Sequence, residues 1–259
     1  MDPIMTYTYI GANGALVVVV VDDPGMHSSQ NEQDSRVLTK FAKAALLEPS
    51  DSQEALDMTI AAFDLSERTG APVFLRTTTR TAHSSGMVTY DDEPRSVERK
   101  PYAKNIQRTV AVPAYARPMR LRVEERTARL RAIAEESAFN RPEPAADKRL
   151  GFVTAAVTYQ YVKEVFPEFG ILKLGFTNPL PLDQIRAFAQ TVDKLLVVEE
   201  LDPFMADQIR AAGIEVARPT TQLHMMELNP MRLRELRQEL LGDLPATQIT
   251  PAPEGLPTR

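Results

Sequence analysis

The segment over residues 22–34, DDPGMHSSQNEQD, holds the densest group of side chains that could do chemistry. It follows a run of valines that predicts a buried strand, and the spacing of Ser29 and Glu32 predicts a helix start. Ligands of parallel α/β sheets bind at this carboxyl edge, beside the free N–H groups of helix starts. His27 could donate a hydrogen bond or move a proton near neutral pH, and Ser28, Ser29 and Gln30 could hold a carbonyl or carboxylate oxygen. The alternative is a plain turn and helix cap, with His27 merely exposed.

A second polar stretch, RTTTRTAHS, follows a later apolar run. If both stretches lie at one sheet edge, Arg76, Arg80 and His83 add positive charge to the same crevice, where they could bind an acidic substrate. The alternative is that the arginines pair with carboxylates such as Glu67 or Asp64.

The remaining candidates are weaker. Glu199 and Glu200 follow an apolar run and could be acid/base groups. The favoured interpretation is that they cap a helix or lie in an interface. His224 beside two methionines suggests packing. The three histidines have no metal-ligand spacing, so no metal residue is predicted. Motifs of the types G-x-S-x-G, G-x-G-x-x-G and H-E-x-x-H are absent, as is a P-loop.

The composition is that of a globular protein and narrows the function classes. The chain has 259 residues, 43% of them hydrophobic and 25% charged, with a formal net charge of −5 and no cysteine. A mildly acidic balance argues against nucleic-acid and anionic-membrane binding, which need a basic surface. The absence of cysteine removes disulfides, thiol catalysis and cysteine-held clusters from these residues. The longest apolar run is too short to cross a membrane, so the cytoplasm is the expected compartment.

Hydrophobic patterning predicts two α/β units. Strands of the first unit are expected at residues 16–21, 44–48 and 72–76, with helices between them from about 29 to 43 and after 50. The valine-rich strand is apolar on both faces, which predicts a central strand covered on both sides. Strands of the second unit are expected at residues 151–156, 171–174, 195–198 and 214–217, with helices at 158–166, 182–192, 203–212 and 229–241.

The two units are joined by a polar, proline-rich connector that contains a charged helix over residues 121–137. Long connectors of this kind often lie across a neighbouring domain. The predicted fold class is therefore α/β with two parallel-sheet domains. The expected divisions are a first domain over 1–84, a connector over 85–149, a second domain over 150–218, and a helix with a proline-rich tail over 219–259.

The first unit is small for an independent domain because it supplies only three strands. A central strand needs a hydrogen-bonded neighbour on each side and cover on both faces. The favoured expectation is that the chain begins part-way through a domain. A compact flavodoxin-like half is the alternative.

Three stretches carry a family resemblance: DPIMTYTYIGANGALVVVVVDDPGMHSSQNEQDSR, PVFLRTTTRTAHS and ILKLGFTNPLPLDQIRAFAQTVDKLLVVEELDPFMADQI. They resemble the α subunit of indolepyruvate:ferredoxin oxidoreductase, a thiamine-pyrophosphate-dependent 2-oxoacid:ferredoxin oxidoreductase. The resemblance implies that the first domain is part of a pyrimidine-binding domain. It also implies that the second domain is similar to the C-terminal domain of transketolase.

The resemblance also implies an activity and a set of site residues. The family decarboxylates aryl pyruvates on thiamine pyrophosphate, passes the acyl group to coenzyme A and sends electrons through iron–sulfur clusters to ferredoxin. By this analogy His27 is catalytic, and the substrate-binding residues are Ser28, Ser29, Gln30, Arg76, Arg80 and His83. Asp23, Gly25 and Met26 are then expected to bind the cofactor.

The sequence departs from the family where the cofactor's other contacts are expected. The pyrimidine-contacting glutamate, the magnesium and diphosphate motif and the cysteine-rich tail have no match here. The expectation is a part of the enzyme that is inactive until a missing domain or partner chain supplies these groups, as an oligomer. Two alternatives remain: a non-catalytic interaction module, or a β-type subunit of another thiamine-dependent 2-oxoacid dehydrogenase.

Overall fold

The computed structural model describes residues 2–91, 101 and 103–242. The predicted proline-rich tail and part of the polar connector lie outside the described residues. No described helix is both long and apolar enough to cross a membrane.

Eighteen elements form two layered units in the described part of the chain. Those up to the middle of the chain are α1 (Asp2–Ile10), β1 (Val17–Asp22), α2 (Ser35–Ala42), β2 (Ala45–Leu47), α3 (Ser52–Thr69), β3 (Val73–Thr78), α4 (Thr79–His83), α5 (Ile106–Thr109) and α6 (Pro113–Glu135). The later elements are β4 (Arg141–Glu143), β5 (Asp147–Ala155), α7 (Thr158–Val165), β6 (Phe169–Leu174), β7 (Phe176–Asn178), α8 (Leu182–Ala189), β8 (Leu195–Val198), α9 (Phe204–Ala211) and α10 (Pro230–Leu241).

The first sheet has the strand order β1-β3-β2-β7. Strands β1, β3 and β2 are parallel, in a register that places Val17 and Ala45 beside Val73. Strand β7 belongs to the second half of the sequence and pairs antiparallel with β2. The first sheet is thus completed by residues from beyond the connector.

The second sheet has the order β4-β6-β5-β8, in which β6, β5 and β8 are parallel and β4 is an antiparallel edge strand. Its parallel strands are buried on both faces, by clusters that include Leu172 and Val197 on one side and Phe152 and Leu196 on the other. Alternate residues of a strand point to opposite faces, so near-continuous apolar runs produce this double cover.

The expectation that β1 is a central, doubly covered strand is wrong for the described sheet. Strand β1 lies at its edge, and Val19 and Val21 are 63% and 55% exposed. Val18 and Val20 pack against α1 and α2 residues on the other face. An apolar run shows that a strand can be covered on two faces, but it does not show which residues cover it.

Two further local expectations differ from the structure. The helix expected from about residue 29 begins at Ser35, with Asp34 as its N-cap. Residues 214–217 form no strand, although the N–H of Ala217 donates to the carbonyl of Leu195.

The connector helix is longer than the sequence predicted and contacts both units. Helix α6 packs on α1, α3 and the first-sheet strand β7, and on α8 of the second unit. Leu130 and Ala134 of α6 join the first core beside Phe176. This agrees with the expectation of a connector draped on neighbouring structure.

One buried amide ties α6 to the strand that crosses between the units. The side-chain oxygen of Asn140 accepts the N–H groups of Gly175 and Phe176 at 3.0 and 2.9 Å. Its amide nitrogen donates to the carbonyl of Ala134 at 2.8 Å. Asn140 is 6% exposed, so water cannot readily replace these bonds.

We expect Asn140→Ala to lower the free energy of unfolding by about 2–4 kcal/mol, because two buried N–H groups lose their acceptor. Urea denaturation followed by circular dichroism measures the change, with the exposed Asn31→Ala as the control. Equal midpoints for the two variants would contradict this role of Asn140.

Candidate functional site

The carboxyl ends of the first-sheet strands meet the end of β8 around a buried arginine. Arg36 of α2 is 2% exposed. Its guanidinium donates to Asp34 at 2.6–3.1 Å and to a carboxylate oxygen of Glu199 at 2.7 Å. It also donates to the carbonyls of Glu200 and Asp202 at 2.6 and 2.9 Å.

The carboxylates around Arg36 keep it charged in a dry site. Burial alone would lower the pKa of Arg36, but the charges of Glu199 and Asp34 outweigh burial and raise it. Glu199 also accepts the N–H groups of Met205 and Ala206 at the start of α9. Glu199 is therefore a helix cap and an interface residue, as the sequence favoured.

A second buried arginine, Arg76 of β3, pairs with carboxylates of the two flanking strands. Its Nε donates to Asp22 at 2.5 Å, and its Nη1 donates to Glu48. Glu48 also accepts the hydroxyl of Thr177 at 2.5 Å. Arg76 pairs with these carboxylates rather than with the carboxylates named from the sequence.

The segment after β1 is folded around the carboxylate of Asp23. This carboxylate accepts the N–H groups of His27, Ser28 and Ser29 at 2.8–3.1 Å and the hydroxyl of Thr79 at 2.8 Å. The bonds from Ser28 and Thr79 lead in holding the pKa of Asp23 well below its usual range. The loop over residues 23–34, called the His27 loop below, is thereby given a fixed shape.

Two sequence-predicted residues, His27 and Arg80, meet on a carboxylate that the sequence did not single out. Glu227 receives two parallel bonds from Arg80, Nε to Oε1 at 2.5 Å and Nη2 to Oε2 at 2.6 Å. The Nε2 of His27 lies 3.4 Å from Oε2 of the same carboxylate. The site thus joins residues about 147 and 200 positions apart in the sequence.

The two bonds from Arg80 to Glu227 leave one guanidinium nitrogen of Arg80 able to donate to another group. Its side chain is 56% exposed, and Nη1 makes no hydrogen bond to the described residues. The bonds to Glu227 raise the pKa of Arg80. Arg80 also lines an open groove of about 450 Å³ with Ser50–Gln53, Thr81, Ser84–Met87, Val157 and Gln160. The groove presents hydroxyls and a fixed cation.

The other predicted residues surround this pair at different depths. Ser28, Ser29 and Gln30 are exposed on the His27 loop, and His83 is exposed at the end of α4. Gly25 has a positive φ of 82°, and a Cβ placed there would come within 3.3 Å of Glu227. Its neighbour Met26, with a φ of 54°, is partly exposed. Arg76 is instead buried beneath the loop.

Curated relatives match most of the chain. The indolepyruvate oxidoreductase subunit IorA of Pyrococcus abyssi is 42% identical over 244 residues, which are 89% of this chain and 37% of that protein. The IorA subunit of Pyrococcus horikoshii is 40% identical over 258 residues, covering 93% of this chain and 40% of that protein. The chain is homologous to part of IorA. The resemblance expected from the sequence is confirmed, and the chain spans about two fifths of the length of these relatives. No protein-family model matches the sequence.

A solved structure supports the fold class. The 2-oxoglutarate:ferredoxin oxidoreductase from Magnetococcus marinus, with 2-oxoglutarate, coenzyme A and succinyl-CoA bound, superposes with a TM-score of 0.66. The match covers 91% of this chain and 50% of that chain, at 17% identity. The predicted α/β class with two mainly parallel sheets is confirmed.

We expect Asp23→Ala to loosen the His27 loop, because three backbone N–H groups lose one shared acceptor. Hydrogen exchange of the amides of residues 27–29 should become at least about tenfold faster. The exposed Asp57→Ala is the control. In the unaltered chain the protection should persist to acid pH, since the pKa of Asp23 is lowered and the carboxylate stays ionised. Unchanged exchange in Asp23→Ala would contradict the role of this carboxylate.

Glu200 beside Glu199 is a buried acid whose ionisation the fold opposes. It is 5% exposed, and its Oε1 accepts the N–H of Leu228 at 3.1 Å. Burial raises the pKa of Glu200 from 4.5 to about 7, while the Leu228 N–H and Arg76 act in the opposite direction. The folded state therefore holds this proton more tightly than the unfolded state, so the stability contribution falls as pH rises from about 4.5 to about 7.

We expect Glu200→Gln to remove this pH dependence while keeping an oxygen acceptor for Leu228. The variant should be more stable than the unaltered chain by about 3 kcal/mol at pH 8, and the difference should shrink towards pH 5. Urea midpoints measured across this range provide the comparison, with the exposed Glu235→Gln as the control. A constant difference across the range would show that Glu200 does not titrate there.

Proposed function

We propose that the chain forms one wall of the reaction site in a thiamine-pyrophosphate-dependent 2-oxoacid:ferredoxin oxidoreductase acting on indolepyruvate and related aryl pyruvates. The complete enzyme would release carbon dioxide, pass the acyl group to coenzyme A, and deliver two electrons through iron–sulfur clusters to ferredoxin. Homology to IorA supports this proposal, because the name of those relatives states indolepyruvate as the substrate.

The observation that carries the proposal for this chain is the shared carboxylate of Glu227. It holds His27 and Arg80 side by side at the carboxyl edge of a parallel sheet. Donors fixed in advance towards a developing negative charge need no rearrangement during the reaction. We assign the pair to the carboxylate of the 2-oxoacid, with Ser28, Ser29 and Gln30 offering further donors.

The remaining predicted residues receive supporting roles. Arg76 is buried and pairs with Asp22 and Glu48. We assign it a contribution to the electrostatic potential of the site, without direct contact with the substrate. His83 is assigned to the outer rim because it is exposed on α4.

The described residues fit only part of a thiamine pyrophosphate site. They contain no group of three or more histidine or acidic side chains that could hold a metal ion. We therefore assign the magnesium and diphosphate to a missing domain or partner chain. The turn with Gly25 and Met26 would lie against the cofactor, with Asp23 acting through the loop that it shapes. The cofactor would supply the electron sink for decarboxylation.

The domain organisation belongs to the same proposal. Residues 1–84 form part of a pyrimidine-binding domain, and residues 150–218 form a domain similar to the C-terminal domain of transketolase. Iron–sulfur clusters would lie in other segments, because this sequence has no cysteine. The chain alone would be inactive and would work in an oligomer with those segments.

The test is reconstitution of the chain with the remaining segments of an IorA relative. We expect indolepyruvate-dependent ferredoxin reduction that requires this chain. His27→Ala, Arg80→Ala or Ser28→Ala should each reduce kcat/KM by about 30- to 1000-fold, because a fixed donor to transition-state charge is worth about 2–4 kcal/mol. Arg234→Ala, a surface arginine paired with Glu164, is the control for Arg80→Ala.

Two results would overturn the proposal. One is the absence of both association and aryl-pyruvate activity. The other is an active complex in which these three variants behave like Arg234→Ala, which would make the His27 loop an interaction surface without a catalytic role.

A further inference from the structure

A second concave site lies at the opposite end of the first sheet. It has a volume of about 620 Å³ and is bounded by the end of α1, Gly70 after α3, and helices α5 and α6. Gly11 and Gly70 lie before β1 and β3, so this site opens at the amino ends of the strands. A six-residue strand is about 20 Å long, which separates the site from the His27 loop.

Four arginines line this site: Arg108, Arg122, Arg126 and Arg129. Among the described residues its lining contains no aspartate or glutamate, and Tyr9 and Tyr115 also line it. Residues three and four apart share a face of a helix, so three of the four arginines project from one side of α6. None of the four makes an ion pair within the described residues. We call this site the arginine pocket.

The deepest of these arginines is held in place but has no counter-ion among the residues that the structure describes. Arg126 is 5% exposed and donates to the carbonyl of Thr8 at 2.5 Å and to that of Gly70 at 3.2 Å. Its Nε has no hydrogen-bond partner within residues 2–91, 101 and 103–242. Burial, with a smaller effect of Arg129, lowers the pKa of Arg126 to about 10.

Two acidic side chains on the same stretch of α6 do not neutralise these arginines. Glu124 on the same helix is taken by Lys43 at 3.3 Å and by Arg120 at 2.6 Å. Glu125 is exposed and does not line the pocket. A buried cation without a partner is costly, and four cations around one cavity repel each other. An anion in the cavity would remove both costs.

We propose that the arginine pocket binds the diphosphate group of a small phosphorylated molecule, at a site separate from the His27 loop. Guanidinium groups match phosphate oxygens with paired, charge-assisted hydrogen bonds. The volume is in the range of small-ligand sites, and the two tyrosines offer surfaces for a ring carried by the ligand. A single phosphate would leave part of this cluster unpaired, whereas a diphosphate spans it.

The test is isothermal titration of the full chain with two probes, inorganic pyrophosphate and adenosine diphosphate. Saturable binding of at least one probe is expected. Arg122→Ala and Arg129→Ala should each weaken it about tenfold, since each removes a charge-assisted bond. Arg117→Ala is the matched control, because Arg117 is exposed on the same helix and does not line the pocket. Circular dichroism checks that the variants are folded.

The two probes distinguish the sources of the diphosphate. Tighter binding of adenosine diphosphate assigns the site to a nucleotide, whereas equal or tighter binding of pyrophosphate assigns it to a free diphosphate. Absence of saturable binding for both probes would overturn the proposal. Binding that survives both pocket substitutions, or that falls equally with Arg117→Ala, would also overturn it.

Discussion

The buried guanidinium of Arg36 fixes the two sheets in one relative arrangement. It lies in the first half of the sequence, yet it binds a carboxylate and two carbonyls at the end of β8. A buried ion pair adds little net stability over apolar packing, but losing one partner is strongly destabilising. If one sheet slid past the other, the buried guanidinium of Arg36 would lose its partners and be left unpaired. A second buried pair, Lys173 with Glu54 at 2.6 Å, imposes the same constraint nearby. These pairs specify position more than they increase stability.

The geometry of the candidate site depends on the fixed arrangement of the two sheets around Arg36. One end of the His27 loop is fixed by Asp23, and the other end is fixed by Asp34, which is itself bound to Arg36. Glu32, within the loop, accepts the N–H of Gly25 at 2.8 Å and that of Met226 at 3.4 Å. The residues that carry Glu227 are therefore held beside the loop. Neither half of the sequence forms the cluster of His27, Arg80 and Glu227 alone.

Much of the fold follows from local pattern, and the errors arise where long-range contacts override it. The short, near-continuous apolar runs predicted β2, β3, β5, β6 and β8 because those strands are buried on both faces. The Ser29–Glu32 spacing failed as a helix start because the Ser29 N–H donates to Asp23 and the Glu32 carboxylate accepts Gly25. The three-residue strands β4 and β7 were missed since their pairing depends on distant partners. Glu227 was missed for the same reason, because its irregular segment carries no periodic signal.

The net charge of the chain is a poor guide to the potential at its sites. A formal charge of −5 argues against a general affinity for anions, yet two places present guanidinium groups to solvent. They differ in how the charge is balanced. At Arg80 a carboxylate neutralises the cation and fixes its plane, leaving N–H donors whose direction matters more than their charge. In the arginine pocket the described lining residues include no carboxylate, so uncompensated charge dominates there. The first arrangement suits discrimination of a substrate's shape, whereas the second suits attraction of a multiply charged anion.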